Sequence, residues 1–170
     1  MQITRAGEYG VLGLLALSRR APGDVVMLDV IAREEDIPTS FLGKIFQSLA
    51  KAGIVKSARG TGGGFALEKP ASQITVLSVL EAIEGPIAFG RCLDETVGCE
   101  NTSGCALCGL LAEAQDRVKE VFAKTSITQL AGRHLPKGLM KQARENSRGA
   151  DCGTETAQVI PLTVEILPST

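Results

Sequence analysis

Histidine is nearly absent from this chain: His134 stands alone. It lies far along the sequence from any other candidate group and reads as structural or exposed. An excess of basic charge is also missing, since the formal net charge is −1. That excludes a protein that coats nucleic acid by charge alone, but not one with a local basic surface. Long apolar runs are lacking, and none approaches the ~20 residues of a membrane span. The opening Met1-Gln-Ile-Thr-Arg-Ala-Gly-Glu8 leads straight into an amphipathic pattern. No secretory leader is expected, and the expected location is cytoplasmic, without a membrane partner. Paired catalytic carboxylates, a nucleophile–base set and a nucleotide loop are missing as well. The expectation is therefore not an enzyme, and no small-molecule substrate is anticipated.

What is present fills 170 residues, of which 44% are apolar. That is enough for one compact domain plus an extension. Residues 1–70 hold nine basic and seven acidic side chains, a mild basic excess. DNA affinity would then depend on where the charges sit and on two copies of the domain.

Thr4 can cap a first helix that carries Tyr9, Val11, Leu12, Leu14, Leu15 and Leu17, and Ala21-Pro22-Gly23-Asp24 stops it. A short second helix spans about 28–35, and Asp36-Ile37-Pro38 is a tight connection. A third helix starts with Thr39 or Ser40 as cap. Its Leu42, Ile45, Phe46 and Leu49 fall at i, i+3, i+4 and i+7, an inward stripe. Gly53 is the expected stop. Two helices so closely joined fit helix-turn-helix geometry.

Ile54-Val55-Lys56-Ser57-Ala58 then reads as a strand, Arg59-Gly60-Thr61-Gly62-Gly63-Gly64 as a turn, and Phe65-Ala66-Leu67 as the returning strand. A hairpin placed directly after a recognition helix is a wing. A flexible turn or a phosphate loop are the rival readings. No Gly-Lys-Ser/Thr follows and the run enters a strand, which weighs against the phosphate loop. Arg59 at the tip is suited to the negative potential of a minor groove. Thr39, Ser40, Phe41 and Lys44 on the third helix, with Arg59, Gly60 and Thr61 on the wing, are the candidate DNA contacts.

Thr75 caps a fourth helix, which Gly85-Pro86 ends. A long helix follows from about Ala106 to Lys124, roughly 28 Å at 1.5 Å per residue. Leu107, Leu111, Ala114, Val118 and Val121 form a heptad seam along it. The seam serves either one subunit's core or a second copy. Two half-sites need two readers, which favours a homodimer on double-stranded promoter DNA. Ile127, Leu130 and Ala131 mark one more short helix, and Arg144 to Thr156 reads as mobile.

Between the fourth and the long helix lie four of the five cysteines: Cys92, Cys99, Cys105 and Cys108, spaced Cys-x6-Cys-x5-Cys-x2-Cys. Soft thiolates select zinc, copper(I) or iron–sulfur clusters. A structural zinc site usually joins two short knuckles, and only Cys105 and Cys108 are closely spaced. Thiols from an open loop suit a cluster. Zinc, a thiol-redox switch and plain buried cysteine remain alternatives. Cys108 also reads as a small core residue at the helix start. Glu8 competes as fourth ligand, against its simpler reading as a solvated carboxylate. Cys152 reads as an uninvolved thiol.

The arrangement resembles the iron–sulfur-sensing winged-helix regulators of the IscR/NsrR type, the Rrf-two family. The resemblance covers about residues 1–135. It rests on Ile3-Thr-Arg-Ala-Gly-Glu-Tyr9, on Ser40-Phe41-Leu42, on Leu49-x-Lys51-x-Gly53-Ile54-Val55, and most specifically on Ser57-Ala-Arg59-Gly60-x-Gly62-Gly63-Gly64-Phe65-x-Leu67. The IscR branch is the most similar. The resemblance implies a dimeric DNA-binding transcription factor, a repressor, with one cluster per subunit. That branch carries a [2Fe–2S] centre whose state alters which DNA is bound. The chain departs from the branch in three places. The Cys92–Cys99 loop is one residue longer than expected. Cys108 stands where the branch uses histidine, which leaves a [4Fe–4S] centre open. Gly43 replaces an acidic or amide side chain on the recognition helix. The NsrR branch, which senses nitric oxide, takes its fourth ligand from the first helix and keeps Glu8 in play.

The expected fold is mainly α with a small β wing: a winged helix-turn-helix plus a long dimerisation helix. The expected divisions are 1–85 for the DNA-binding domain, 86–105 for the cysteine loop, 106–137 for the dimerisation region and 138–170 for a mobile tail.

Overall fold

The computed structural model describes residues 3–58, 60, 63–94, 97–99 and 105–132. The proposed tail with Cys152 lies outside these, as do His134 and, on the wing, Arg59 and Thr61. In chain order the elements are α1 (Arg5–Ser18), α2 (Leu28–Glu34), α3 (Thr39–Lys51), β1 (Val55–Ala58), β2 (Gly64–Leu67), α4 (Val76–Glu84), α5 (Ala106–Lys124) and α6 (Ile127–Gly132). Short 3-10 turns cover Ala71–Gln73 and Arg91–Leu93. The fold is thus mainly helical with one two-stranded wing.

Local chemistry explains most boundaries. Thr4 Oγ1 accepts from the N–H groups of Ala6 (3.2 Å) and Gly7 (3.4 Å), capping α1 as expected. The same threonine donates its own N–H and hydroxyl to Glu84 Oε1, each at 3.0 Å, so the end of α4 holds the start of α1. Thr75 Oγ1 accepts from Ser78 N–H at 3.1 Å and caps α4.

The expected cap of α3 is corrected. Its N-cap is Pro38, and neither Thr39 nor Ser40 caps the helix with its side chain. The carbonyl of Pro38 accepts from the N–H groups of Phe41 (3.0 Å) and Leu42 (3.1 Å). The helix therefore begins one residue early, at Thr39. Asp36, at φ 54°, makes the turn before it; aspartate is among the few residues that tolerate this region. At the other end, Gly53 at φ 67° lets Ile54 N–H reach Leu49 O (3.0 Å) and Gly53 N–H reach Ala50 O (3.1 Å). That pair of bonds is a Schellman stop.

The core gathers where α1, α3 and α4 meet. Leu14, Ile31, Leu42, Phe46, Leu49, Ile74, Val79 and Ile127 are fully buried. The wing pairs Val55 with Leu67 and Ala58 with Gly64, antiparallel. Phe65 of β2 sets its ring edge-on to Phe46, centroids 5.0 Å apart. Val26 and Phe65 exchange two backbone hydrogen bonds of 2.9 Å, which adds a third strand-like rung to the wing. Gly64 is required there, because a Cβ would lie 2.2 Å from Val26 O.

α5 has a different character. Gln115 is its one buried residue among those described, while Leu107, Leu110 and Val121 are exposed. The far end of α5 is stitched back to the reader. Val76 N–H donates to Thr125 O and Ile127 N–H donates to Ile74 O, both at 2.9 Å.

Candidate functional site

Two surfaces carry the expected site residues. The first is the outer face of α3. Burying Leu42, Ile45, Phe46 and Leu49 turns the opposite face to solvent. Thr39, Ser40, Phe41 and Lys44 are all exposed there, and Phe41 is 59% exposed despite its apolar ring. Gln47 and Lys51 are exposed on the same face. The sequence reading did not name them as contacts, although i+3 and i+7 spacing from Lys44 would have found them. Gly60 is exposed at the wing tip with φ 115°. Gly43 is half-buried, and a Cβ there would meet only Leu28 Cδ2, at an ordinary 3.5 Å. Packing therefore does not demand glycine at this position.

The second surface is the thiol loop. After α4, Arg91–Leu93 forms a 3-10 turn that carries Cys92. Asp94 then organises the chain toward Cys99. Its Oδ1 accepts from Val97 N–H at 3.2 Å, and its carbonyl accepts from Gly98 N–H at 3.0 Å. Aspartate commonly makes such side chain-to-backbone bonds in turns. Cys105 is the N-cap residue of α5, and Cys108 lies in its first turn. A cavity of about 570 Å³ beside the turn is lined by Arg91, Val97, Gly98 and Cys99.

Cys92 and Cys108 are half-buried, whereas Cys99 and Cys105 are exposed. Of the other thiols, Cys92 acts most on Cys108, pushing its pKa up through hydrogen bonding. Burial and then the charges of Cys92, Cys105 and Cys99 push it the same way. Negative charge on any of the other three thiols therefore discourages it on Cys108. By donor type alone these thiols suit a thiophilic metal group, whose positive charge would relieve that repulsion. Among the described residues, no three of His, Cys, Asp and Glu stand in a metal-holding arrangement. Glu8 is exposed in the first turn of α1 and is not among the groups that shift Cys108.

These features define a winged helix-turn-helix regulator fold with a thiol loop set against a long helix. A family model described as an iron-dependent transcriptional regulator, Rrf2, matches residues 3–133. The chain belongs to the Rrf2 family of transcriptional regulators. It is 33% identical over 130 residues to the HTH-type transcriptional regulator IscR of Escherichia coli O1:K1, covering 76% of this chain and 80% of that one. CymR, the global cysteine regulator of B. subtilis, superposes with a TM-score of 0.67 at 27% identity, covering 79% of this chain and 99% of that one. The oxidized form of Staphylococcus aureus CymR superposes with a TM-score of 0.63 at 25% identity, covering 81% of this chain and 100% of that one. No helix among the described residues is long and apolar enough to cross a membrane.

Proposed function

We propose that this Rrf2-family regulator is a cytoplasmic, homodimeric repressor whose promoter binding is governed by an iron–sulfur cluster. Cys92, Cys99, Cys105 and Cys108 would hold the cluster, with Glu8 of a partner subunit as the alternative fourth ligand. A [2Fe–2S] centre is favoured, and a [4Fe–4S] centre is the alternative. When bound, it supplies a redox-active tie that neutralises thiolate charge. The observation that carries this reading is the packing of the segment before Cys92 along α5, the helix whose first turn holds Cys108: Phe89 N–H bonds Gln115 Oε1 at 3.0 Å and Gly90 lies against Leu111.

The protein's own residues supply the rest. Leu107, Leu110 and Val121 expose an apolar stripe on α5 that a second copy would cover. Thr39, Ser40, Phe41 and Lys44 face the major groove, with Gln47 and Lys51 further along. Arg59, Gly60 and Thr61 of the wing reach the neighbouring backbone or minor groove. The backbone bonds between 74–76 and 125–127 carry a change at the loop, through α5, to the helices that seat the reader. Binding of a group at one end then changes DNA affinity at the other by a coupling energy of about 1–3 kcal/mol.

The deciding experiment is purification of the full chain without oxygen, followed by iron, sulfide and visible absorption measurements. Coloured protein with iron and sulfide, whose promoter affinity falls or rises when the cluster is removed, supports the reading. Colourless protein with stoichiometric zinc overturns it in favour of a structural zinc site. A second reading, a thiol-redox switch without a cluster, is favoured by the influence of Cys92 on the Cys108 thiol and by the likeness to CymR. It predicts metal-free protein whose promoter affinity changes on oxidation.

A further inference from the structure

α5 buries a glutamine where a leucine would be expected. Gln115 is only 9% exposed, and glutamine is ordinarily a surface residue. Burying an amide is costly unless its polar atoms are bonded. Gln115 Oε1 accepts from the backbone N–H of Phe89, 26 residues earlier, at 3.0 Å. Phe89 lies three residues before Cys92. Cys108, Leu111 and Gln115, spaced by three and four, share one face of α5.

The segment facing that stripe runs the opposite way. Phe89 is bonded to Gln115, Gly90 lies against Leu111, and Cys92 follows toward the end of α5 that carries Cys108, the thiol whose pKa it pushes up most. The middle rung is tight, since a Cβ on Gly90 would stand 3.0 Å from Leu111 Cδ1 and 3.5 Å from Cys92 Sγ. The turn that carries Cys92 is closed by Leu93 N–H bonding to Gly90 O at 3.0 Å. Its placement therefore follows from where residues 89 and 90 are pinned.

We propose that Gln115 is a positioning residue for the thiol site, fixing the Phe89–Cys92 turn on α5 so that Cys92 and Cys108 face each other. The inference rests on the reading that these two thiols share one site, and it holds whether the occupant is a cluster or a disulfide. Gln115 touches neither thiol; it acts through the backbone of Phe89.

The test uses the full-length, metal-free chain with Cys99, Cys105 and Cys152 changed to serine. It is equilibrated with reduced and oxidised glutathione. Each oxidised glutathione takes two electrons and two protons from the Cys92–Cys108 pair, giving one protein disulfide and two reduced glutathiones. The equilibrium constant measures how well the fold presents one thiol to the other. Gln115→Met, which keeps shape but loses the acceptor, lowers this constant about five-fold, the worth of one ordinary hydrogen bond. Gln115→Glu, which keeps an acceptor oxygen, restores it to within about two-fold. Ile31→Val, which weakens the core away from the loop, leaves it unchanged. If Gln115→Met fails to fold, Gln115→Ala removes the acceptor with a better helix former. An unchanged constant in the folded Gln115 variant overturns the inference. A parent chain that forms no Cys92–Cys108 disulfide overturns the shared thiol site itself, a distinguishable failure.

Discussion

The backbone N–H of Val76 donates to the carbonyl of Thr125 at 2.9 Å, tying the last turn of α5 to the first turn of α4. The next residue but one, Ile127, is fully buried beneath that tie. The helix that meets the cysteine loop at one end is thus anchored in the reader's core at the other. Loop and reader are not independent modules joined by a slack linker.

That anchor sets the first expectation. Ile127→Ala should lower unfolding stability by about 2–4 kcal/mol, the cost of a large-to-small change in a packed core. It should also weaken the dependence of promoter affinity on the state of the thiols. Urea denaturation and a DNA titration check the two halves. Full coupling retained in a strongly destabilised variant would show that α5 does not transmit through this junction.

Gly43 should behave oppositely. Glycine inside a helix costs about 1 kcal/mol relative to alanine, and a methyl here would meet only Leu28 at van der Waals distance. Gly43→Ala should therefore stabilise the chain by about 0.5–1 kcal/mol, read from its denaturation midpoint. A loss of stability would mean that the α2–α3 packing is tighter than described.

Gly64 is the contrasting glycine. A side chain there would collide with Val26 O. Gly64→Ala should break the Val26–Phe65 rung and displace the wing. Promoter affinity should fall by tenfold or more, roughly the 1.4 kcal/mol that a factor of ten represents, with helical circular dichroism unchanged. Unaltered affinity would remove the wing from the DNA interface.

Lys44 is exposed on the reading face. If it contacts a phosphate, Lys44→Ala should reduce the slope of log affinity against log salt by about 0.9. It should also weaken operator and unrelated DNA alike. Binding isotherms at several salt concentrations give the slope, and an unchanged slope excludes the contact.

The raised pKa of Cys108 has a pH consequence in metal-free protein. Hydrogen bonding to Cys92, burial and neighbouring thiolates all favour its protonated form. A group whose folded pKa is raised contributes stability below its unfolded value and loses that contribution as pH rises through the folded one. The metal-free chain should therefore lose stability on the alkaline side of the thiol range. Cys108 should alkylate at higher pH than the same thiol in Cys92→Ser protein. Mass spectrometry of iodoacetamide adducts against pH measures this, and no difference between the two proteins would remove the contact as the cause.

The helices were legible because each carried its own local signals. Thr4 and Thr75 are hydroxyl caps with bonds made within three residues, and Gly53 marks a stop that glycine makes best. The start of α3 was misplaced because a serine or threonine before an apolar stripe has the same sequence signature whether it caps or not. Here the Pro38 carbonyl takes the first helical bonds. The α5 seam was read from spacing, yet only the fold showed how much of it stays exposed. The cysteines mark a candidate thiol site by their number within one stretch. Where the segment before Cys92 lies on α5 was not readable, because a distant amide, Gln115, holds the backbone of Phe89.

By itself the sequence determined what depends on neighbours a few residues apart: helix periods, caps, the glycine wing and soft donors grouped in one stretch. The tertiary structure alone decided which distant groups meet: Val26 with Phe65, Gln115 with Phe89, Thr125 with Val76. Those contacts join segments far apart along the chain. Their closure is driven by burial of a shared core, a sum over the whole molecule that no local stretch encodes.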